Sequence, residues 1–149
     1  MHIQAIDRVD EEIVQAFQRL IPQLTEVSPA PSKEDLERMA ASESTHIFLA
    51  RADASGPILG TATLVTYQTP TGLHGWIEDV VVDRDVRQQG MGRALTEACL
   101  DKARELGLRQ VNLTSRPGRA AANRLYQSMG FVLRETNLYT FTFGPSTQG

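Results

Sequence analysis

The chain has 149 residues, of which 41% are hydrophobic and 22% charged, with a formal net charge of −3 and one cysteine. This length supports one domain with a substantial core, and a single cysteine excludes an intramolecular disulfide and a multi-cysteine zinc site. The N-terminus shows no secretory signal pattern, and no apolar run approaches the ~18 residues that span a bilayer. We therefore expect a single cytoplasmic domain over residues 1–149, with no membrane partner and a loose tail over 144–149.

The first half of the chain predicts a strand, two helices and an antiparallel meander. His2–Ile6 alternates apolar and polar residues as a strand does. Helical spacing of apolar residues predicts a helix from the Asp10 cap to about Leu20, near Pro22. Ser32 begins a second short helix. Three strands follow, separated by tight turns: His46–Ala52, Ile58–Tyr67 and His74–Val82.

The second half alternates between helices and strands. Helices are predicted over Met91–Leu106 and Ala120–Met129, each followed by glycine. Strands are predicted over Arg109–Thr114, Phe131–Leu133 and Leu138–Phe143. The pattern predicts an α/β (α+β) fold, with a mixed, mostly antiparallel sheet of about six or seven strands flanked by about four helices.

Charge is divided unevenly along the chain. Residues 1–45 carry nine acids against four bases, whereas residues 84–124 carry nine bases against four acids. This division indicates either two differently solvated surfaces or a basic half that holds an anionic ligand beside an acidic half that faces a cation. Nucleic acid is not expected as a partner, because the whole chain is acidic and its basic region lacks interleaved aromatic residues.

A glycine-rich turn opens the helix that follows the strand His74–Val82. Its residues are Arg87-Gln88-Gln89-Gly90-Met91-Gly92-Arg93. The backbone N–H groups and the positive dipole end of a helix N-terminus favour a phosphorylated ligand. The turn lacks both the Gly-Lys-Ser/Thr of a P-loop and the three glycines of a dinucleotide fingerprint. By itself it predicts an anion site of no particular class.

This turn, with Val80-Val81-Val82-Asp83 before it, resembles the acyl-CoA-binding segment of the GNAT superfamily of N-acetyltransferases. A second block resembles the family's later motif, with Asn on a helix, Tyr three residues on and then Gly-Phe: Ala122-Asn123-Arg124-Leu125-Tyr126-Gln127-Ser128-Met129-Gly130-Phe131. The resemblance covers the whole order of elements, although residues 1–45 match only in outline. It implies a GNAT-like splayed sheet, acetyl-CoA as the acyl donor and no metal.

The resemblance assigns residues to the cofactor. The turn residues Arg87, Gln88, Gln89, Gly90, Met91, Gly92 and Arg93 would receive the pyrophosphate of CoA. The backbones of Val80, Val81 and Val82 would pair with the pantetheine arm where the sheet splays. Asn123 would hydrogen-bond the cofactor, the alternative being an asparagine on the helix surface.

Two residues are the catalytic candidates. Tyr126 resembles the family tyrosine that serves as general acid toward the CoA sulfur; the alternative is a packing tyrosine. Glu78 is the leading general base, and its alternative is a strand carboxylate paired with arginine. Strand alternation predicts Asp79 on the opposite face, so Asp79 is the reserve base, and a base acting through water also stays open.

Other reactive side chains are interpreted as structural. His46 and His74 lie in no motif, and Cys99 lies on the apolar face of a predicted helix, as a core residue does. The stretch Thr114-Ser115-Arg116 lines either the acceptor site or the adenosine, and spacing does not decide between them.

The sequence thus predicts acetyl transfer from acetyl-CoA to the primary amine of a small molecule, by direct transfer in a ternary complex. Two alternatives stay open: a non-catalytic module that binds or senses acyl-CoA, and an acetyltransferase acting on protein N-termini or lysines. A homodimer is a further expectation, with Leu138–Phe143 as an edge strand at its interface. The amine itself is not identified.

Overall fold

A computed structural model describes residues 1–87 and 89–145. Its contacts divide the chain into two units, Met1–Thr114 and Ser115–Gly149, which are described separately. The elements of the first unit are β1 (His2–Ala5), α1 (Glu11–Leu24), α2 (Lys33–Ala41), β2 (Thr45–Arg51), β3 (Ile58–Thr69), β4 (Gly72–Val82), a 3-10 turn at Arg84–Val86 and α3 (Met91–Glu105). The second unit contains α4 (Ala120–Ser128).

The four strands form one antiparallel sheet in the order β1-β2-β3-β4. Long runs of direct pairing join β2 to β3 and β3 to β4, in agreement with the predicted meander. Because each strand pairs with its neighbour in sequence, β4 lies at the edge of the sheet. On its outer side β4 is bridged to Asn112 at Trp76, and among the described residues of the first unit no further pairing covers Val80–Val82.

Helices cover both faces of the sheet. The apolar stripe of α1 packs with Leu36 of α2 against Ile47, Leu49 and Val81 of the sheet. Since side chains alternate along a strand, His46 and Phe48 point to the opposite face, which α3 covers. Leu95 and Cys99 of α3 are fully buried there. The fold is therefore a mixed α/β fold with two apolar layers, as expected.

Helix α1 extends beyond Pro22, near which the sequence predicted its end. Asp10 caps its start, where the Asp10 carboxylate accepts a hydrogen bond from the N–H of Ile13 at 2.9 Å. The helix then continues past Pro22 to Leu24, and the Thr25 N–H closes its last turn on Ile21 O at 3.0 Å. Ile21 is buried in the core, so packing stabilises the last turn despite the hydrogen bond that proline cannot donate.

The expected sheet of six or seven strands was too large, because the described residues contain four. The predicted strand Arg109–Thr114 is reduced to a single parallel bridge, in which Asn112 exchanges hydrogen bonds with the backbones of Gly75 and Ile77 at 3.1 and 2.9 Å. Phe131–Leu133 and Leu138–Phe143 form no strand in the described part of the chain. Alternating apolar residues favour extended backbone, but a strand also needs a partner for its ladder.

The four α-helices expected from the sequence are confirmed within the described ranges. In those ranges, no helix is both long enough and apolar enough to span a bilayer. Leu138–Phe143, expected as an edge strand at a homodimer interface, does not form a strand. The homodimer therefore has no support from this segment and stays a prediction.

Candidate active site

A β-bulge interrupts β4 beside the predicted catalytic carboxylates. Thr63 of β3 pairs with Glu78, but Thr61, two residues earlier in β3, pairs with Val81, three residues further along β4. One extra residue is therefore inserted at Asp79–Val80. Asp79 has a φ of +52°, the left-handed region that non-glycine residues rarely adopt. Bulges and strained backbone of this kind are concentrated next to functional sites.

The bulge alters the expected placement of Glu78 and Asp79 on opposite faces. Asp79 lines a cavity whose wall also contains Thr63. Because directly paired residues share a face, the pairing with Thr63 places Glu78 on that face as well. Desolvation, together with the neighbouring Asp79 carboxylate, raises the pKa of Glu78 above its ordinary value of 4.5. A carboxyl group with a raised pKa is suited to act as a base near neutral pH.

The three valines at and after the bulge differ in burial: Val80 and Val82 are half-buried, whereas Val81 is buried and offers a ligand only its backbone. Val81 and Val82 pair with Thr61 and Gly60 of β3 on the inner side, and the Val81 side chain is 4% exposed and part of the core. Within the described residues of the first unit, the outer side of β4 is paired only at Trp76, which bridges Asn112 before the bulge. An extended ligand with amide groups can add to such an edge as a strand would.

The turn between β4 and α3 is anchored to α1 by side chains. The Asp83 carboxylate accepts from the Asp85 N–H at 3.1 Å and lies 3.4 Å from the Arg19 guanidinium. The Arg84 N–H donates to Gln23 Oε1 at 2.9 Å. Arg87 Nε lies 3.4 Å from Val82 O. Gln88, a predicted cofactor-binding residue, lies outside the described residues.

Gly90 sets the direction in which α3 begins. It is the N-cap of α3, with a φ of +80°, and no other atom lies within 4 Å of where its side chain would start. The Ala94 N–H bonds to Gly90 O at 3.0 Å, which begins the helical ladder. The N–H groups of the first helical turn have no acceptor within the helix and point out along its axis. The left-handed glycine before the helix is present, and the use of this turn as an anion site stays a prediction.

The other turn residues differ in what they can contribute. The Met91 side chain is 2% exposed, so only its backbone could contact a ligand. Gly92 O accepts a hydrogen bond from the Thr96 hydroxyl at 2.7 Å, which stabilises the first turn. Arg93 lies 3.4 Å from Glu97 on the helix surface. Gln89 is exposed.

Helix α4 carries Asn123 and Tyr126 one turn apart. The Asn123 amide donates to the carbonyl oxygens of Arg116 and Arg119, both at 2.9 Å, and so holds the preceding loop. A cofactor contact by Asn123 would therefore use its remaining oxygen. The Tyr126 ring packs edge-on against Phe131 at 5.7 Å between centroids, and Phe131 N donates to Tyr126 O at 3.0 Å. The Gly-Phe part of the motif thus fixes the tyrosine ring.

A cavity of about 570 Å³ lies between α1, α2 and the sheet. Its apolar wall includes Phe17 and Leu24 of α1 and Met39 of α2, and Asp79 stands at its border with the bulge. The sequence predicted the end of this helix near Pro22, so it did not indicate that Leu24 continues the apolar face of α1 into the cavity wall. The volume is in the range of small-molecule sites.

Cys99 and His74, which the sequence indicates are structural, make structural contacts in the fold. Cys99 is fully buried, and desolvation raises the pKa of its thiol to about 12, which makes it a poor nucleophile. His74 Nε2 lies 2.8 Å from the hydroxyl groups of both Thr69 and Thr71, at the β3–β4 turn. No group of three or more His, Cys, Asp or Glu suited to a metal ion occurs in the ranges that the structure covers.

Comparison with known proteins places these features in a family. The profile described as "Acetyltransferase (GNAT) family" matches residues 11–131. The chain is 31% identical over 95 residues to the L-methionine sulfoximine/L-methionine sulfone acetyltransferase of Pseudomonas paraeruginosa, covering 63% of this chain and 55% of that protein. It is 36% identical over 105 residues to the mycothiol acetyltransferase of Thermobispora bispora, covering 66% of this chain and 35% of that protein.

These matches span about half the length of the first relative and about a third of the second. Among solved structures, an acetyltransferase of Trypanosoma brucei superposes with a TM-score of 0.72 at 28% identity, covering 95% of this chain and 100% of that one. The family match, the order of elements and the glycine turn agree: this chain belongs to the GNAT family of acetyltransferases.

Proposed function

We propose that this protein transfers an acetyl group from acetyl-CoA to a primary amine, by direct attack in a ternary complex. Three features within fifteen residues carry the proposal: the bulge, the strand edge that follows it, and the left-handed Gly90 turn. All three lie in the segment that matches the family. Each of these features suits a different part of acetyl-CoA, from the thioester to the pyrophosphate.

The cofactor would lie along the end of β4 and the start of α3. The pantetheine amides would pair with the outer backbone of Val80–Val82, which no described strand of the first unit covers. The pyrophosphate would accept hydrogen bonds from the turn amides between Gln88 and Arg93, and the guanidinium groups of Arg87 and Arg93 would add positive charge. The thioester would then lie near the bulge, where a backbone N–H could stabilise the oxyanion.

The reaction requires three proton movements. An acceptor that arrives as an ammonium ion first releases one proton to water, because only the neutral nitrogen can attack. That nitrogen attacks the thioester carbonyl carbon, and the C–N bond forms as the carbonyl oxygen becomes an oxyanion. Glu78, directly or through a water, takes the proton that the nitrogen loses. The intermediate then collapses, the C–S bond breaks, and the leaving CoA sulfur takes a proton from Tyr126. The raised pKa of Glu78 supports its assignment as the base.

A small-molecule acceptor is favoured over a protein acceptor by the volume of the open cavity at the bulge, about 570 Å³, which is in the range of small-molecule sites. The curated relatives point in both directions. Two are named for small-molecule acceptors, and the E. coli relative, 42% identical over 53 residues, is named for an alanine of ribosomal protein bS18. We therefore propose a small amine bound between α1, α2 and the bulge.

The test measures free CoA thiol released from acetyl-CoA with and without amines: amino acids, amino sugars, polyamines and N-terminal peptides. Amine-dependent release, matched by an acetylated product in mass spectrometry, is expected with at least one small amine. Calorimetric binding of acetyl-CoA without turnover on any amine would instead identify a sensor module. Turnover confined to the peptides would identify a protein acetyltransferase.

A further inference from the structure

The cavity at the bulge has a defined chemistry that narrows the class of acceptor. This inference rests on the proposed function, since it concerns the amine substrate of the same site. The cavity lies wholly within the first unit and is bounded by α1, α2, β2, β3 and the bulge of β4. Its walls can therefore be considered residue by residue.

Hydroxyl side chains line much of the cavity, but α1, α2 and β2 also contribute an apolar part of its wall. Phe17 and Ile47 are 5% and 3% exposed and form part of the core beneath it. Leu24 and Met39 are half-buried, packed against that core, and border the open volume. A ligand that fills this space removes apolar surface on both sides from water, which favours an apolar substituent over a polar one.

The charges on the wall are few, and most of them are already paired. Asp35 accepts from the Ser32 N–H at 3.0 Å in the capping box of α2 and forms an ion pair with Arg38 on the same helix. Both side chains are thus engaged within α2. With two carboxylates and one guanidinium, the wall has an excess of one negative charge, and Asp79 supplies it.

Asp79 is the wall carboxylate without a partner. Its side chain accepts no hydrogen bond and forms no ion pair among the residues that the structure describes. Asp79 has a left-handed backbone at the bulge, follows Glu78 directly in the chain, and is an exposed member of the cavity wall. An unpaired carboxylate in a wall that also has an apolar part is complementary to a single cation that carries an apolar body.

We infer that the acceptor is a small primary amine with one positive charge and an apolar substituent: Asp79 receives its ammonium group, and the wall of Leu24 and Met39 receives its substituent. Phosphorylated amino sugars are excluded from this class, because the single guanidinium of the wall is engaged by Asp35. Amino acids with a free carboxylate are disfavoured for the same reason. An amine bound at Asp79 lies beside Glu78, the proposed base.

The experiment measures binding rather than turnover, by calorimetry of the protein saturated with CoA, which cannot donate an acetyl group. Isopentylamine is compared with isopentanol, which has the same apolar group but no charge. It is also compared with ethanolamine, which has the charge but no apolar group. Leucinamide is compared with L-leucine, and glucosamine 6-phosphate is added. Isopentylamine and leucinamide are expected to bind at least about fivefold more tightly than their partners.

Variants test the two recognition elements separately. Asp79→Asn keeps a side chain that tolerates the left-handed region, and it should weaken isopentylamine at least about fivefold while leaving isopentanol unchanged. Leu24→Asn and Met39→Gln should weaken isopentylamine and isopentanol alike. The controls are Asp101→Asn, a carboxylate on the surface of α3, and Val27→Thr, an exposed residue outside the cavity wall; neither should change binding.

The outcomes separate this inference from the proposed function. Tighter binding of glucosamine 6-phosphate or L-leucine, or an unchanged affinity in Asp79→Asn, would overturn the inference even if acetyl transfer occurs with another amine. Selective binding of the apolar amines with no thiol release from acetyl-CoA would support the acceptor class and overturn the proposed catalysis.

Discussion

Glu78 and Asp79 are adjacent carboxylates whose charges interact at the bulge. The ordinary pKa of a glutamate here is 4.5, and both desolvation and the Asp79 charge raise it. As a base, Glu78 is active when ionised, so kcat/KM should fall as the pH drops through its pKa, with an acidic limb centred above 4.5. Asp79→Asn removes one cause of the shift, so the limb should move to lower pH. The measurement is the pH profile of kcat/KM for both proteins.

Glu78→Gln is the companion variant for that profile. Without a titrating group at this position, the acidic limb should disappear and kcat should fall by about a hundredfold, a typical contribution of a general base. A limb that survives in Glu78→Gln would assign the base to another group.

Tyr126 is expected to protonate the leaving sulfur, and phenylalanine tests this role with little change in packing. Its ring contacts Phe131 edge to face, a contact that the Phe variant retains. Tyr126→Phe should therefore lower kcat by about a hundredfold and leave the Kd of acetyl-CoA within about twofold. Stopped-flow turnover and calorimetry measure the two quantities. Equal kcat in both proteins would make Tyr126 a packing residue.

At the scale of elements, the start of α3 depends on the left-handed backbone of Gly90. No other atom crowds that position, so a substitution acts through backbone strain alone. Gly90→Ala adds about 1 kcal/mol of strain, which the turn relieves by moving its amides out of position. The Kd of acetyl-CoA should then rise about fivefold. Gly90→Asn is the control, since asparagine tolerates this region, and it should show a smaller change in calorimetry.

The contact between β2 and α3 contains a histidine that is disfavoured in its charged form. His46 Nε2 is buried with no hydrogen-bond partner among the described residues. Burial and the positive charge of Lys102 lower the pKa of His46 below 6.5, and the negative charge of Glu105 opposes this shift only in part. Below pH 6.5 the unfolded chain therefore binds this proton more readily than the folded protein. The free energy of unfolding should decrease as the pH falls through this window.

Denaturant unfolding of wild type and His46→Phe at pH 5 to 8 measures this effect. The variant cannot titrate at this position, so its stability should decrease less than that of the wild type below pH 6.5. Toward pH 8, well above the ordinary histidine pKa of 6.5, the difference between the two proteins should become constant, because His46 is then neutral in both states. Parallel stability curves over the whole range would show that His46 is not the group responsible.

At the scale of the whole molecule, acetyl-CoA binding should appear as a gain in stability. A ligand that binds only the folded state stabilises it by about 2.7 kcal/mol at a concentration of a hundred times its Kd. The melting temperature of the protein should therefore rise with acetyl-CoA concentration, and Gly90→Ala should need more ligand for the same rise. The nucleoside adenosine, which lacks both the pyrophosphate and the pantetheine arm, is the control and should give a smaller shift. No shift at saturating acetyl-CoA would contradict the proposed cofactor.

Most of the elements were predictable because their signals are local. Asp10 and Ser32 cap helices α1 and α2, and the meander of β2, β3 and β4 follows from apolar strands joined by short turns. The glycine turn was equally predictable, since a left-handed backbone before a helix favours glycine, as at Gly90. Strand pairing after residue 109 was not predictable, because alternating apolar residues predict an extended backbone but do not identify the strand with which it pairs.

The family, the helices, the meander and the Gly90 turn can be predicted from the sequence, because each depends on residue types at fixed spacing along the chain. The placement of Glu78 and Asp79 cannot, because it depends on tertiary pairing. The bulge arises from the register between β3 and β4, and a one-residue shift reverses the alternation that sequence reasoning assumes. The tertiary structure also decided that Leu24 and Met39 border one cavity with Asp79, since residues from three separate elements meet there only after the sheet and its helices pack.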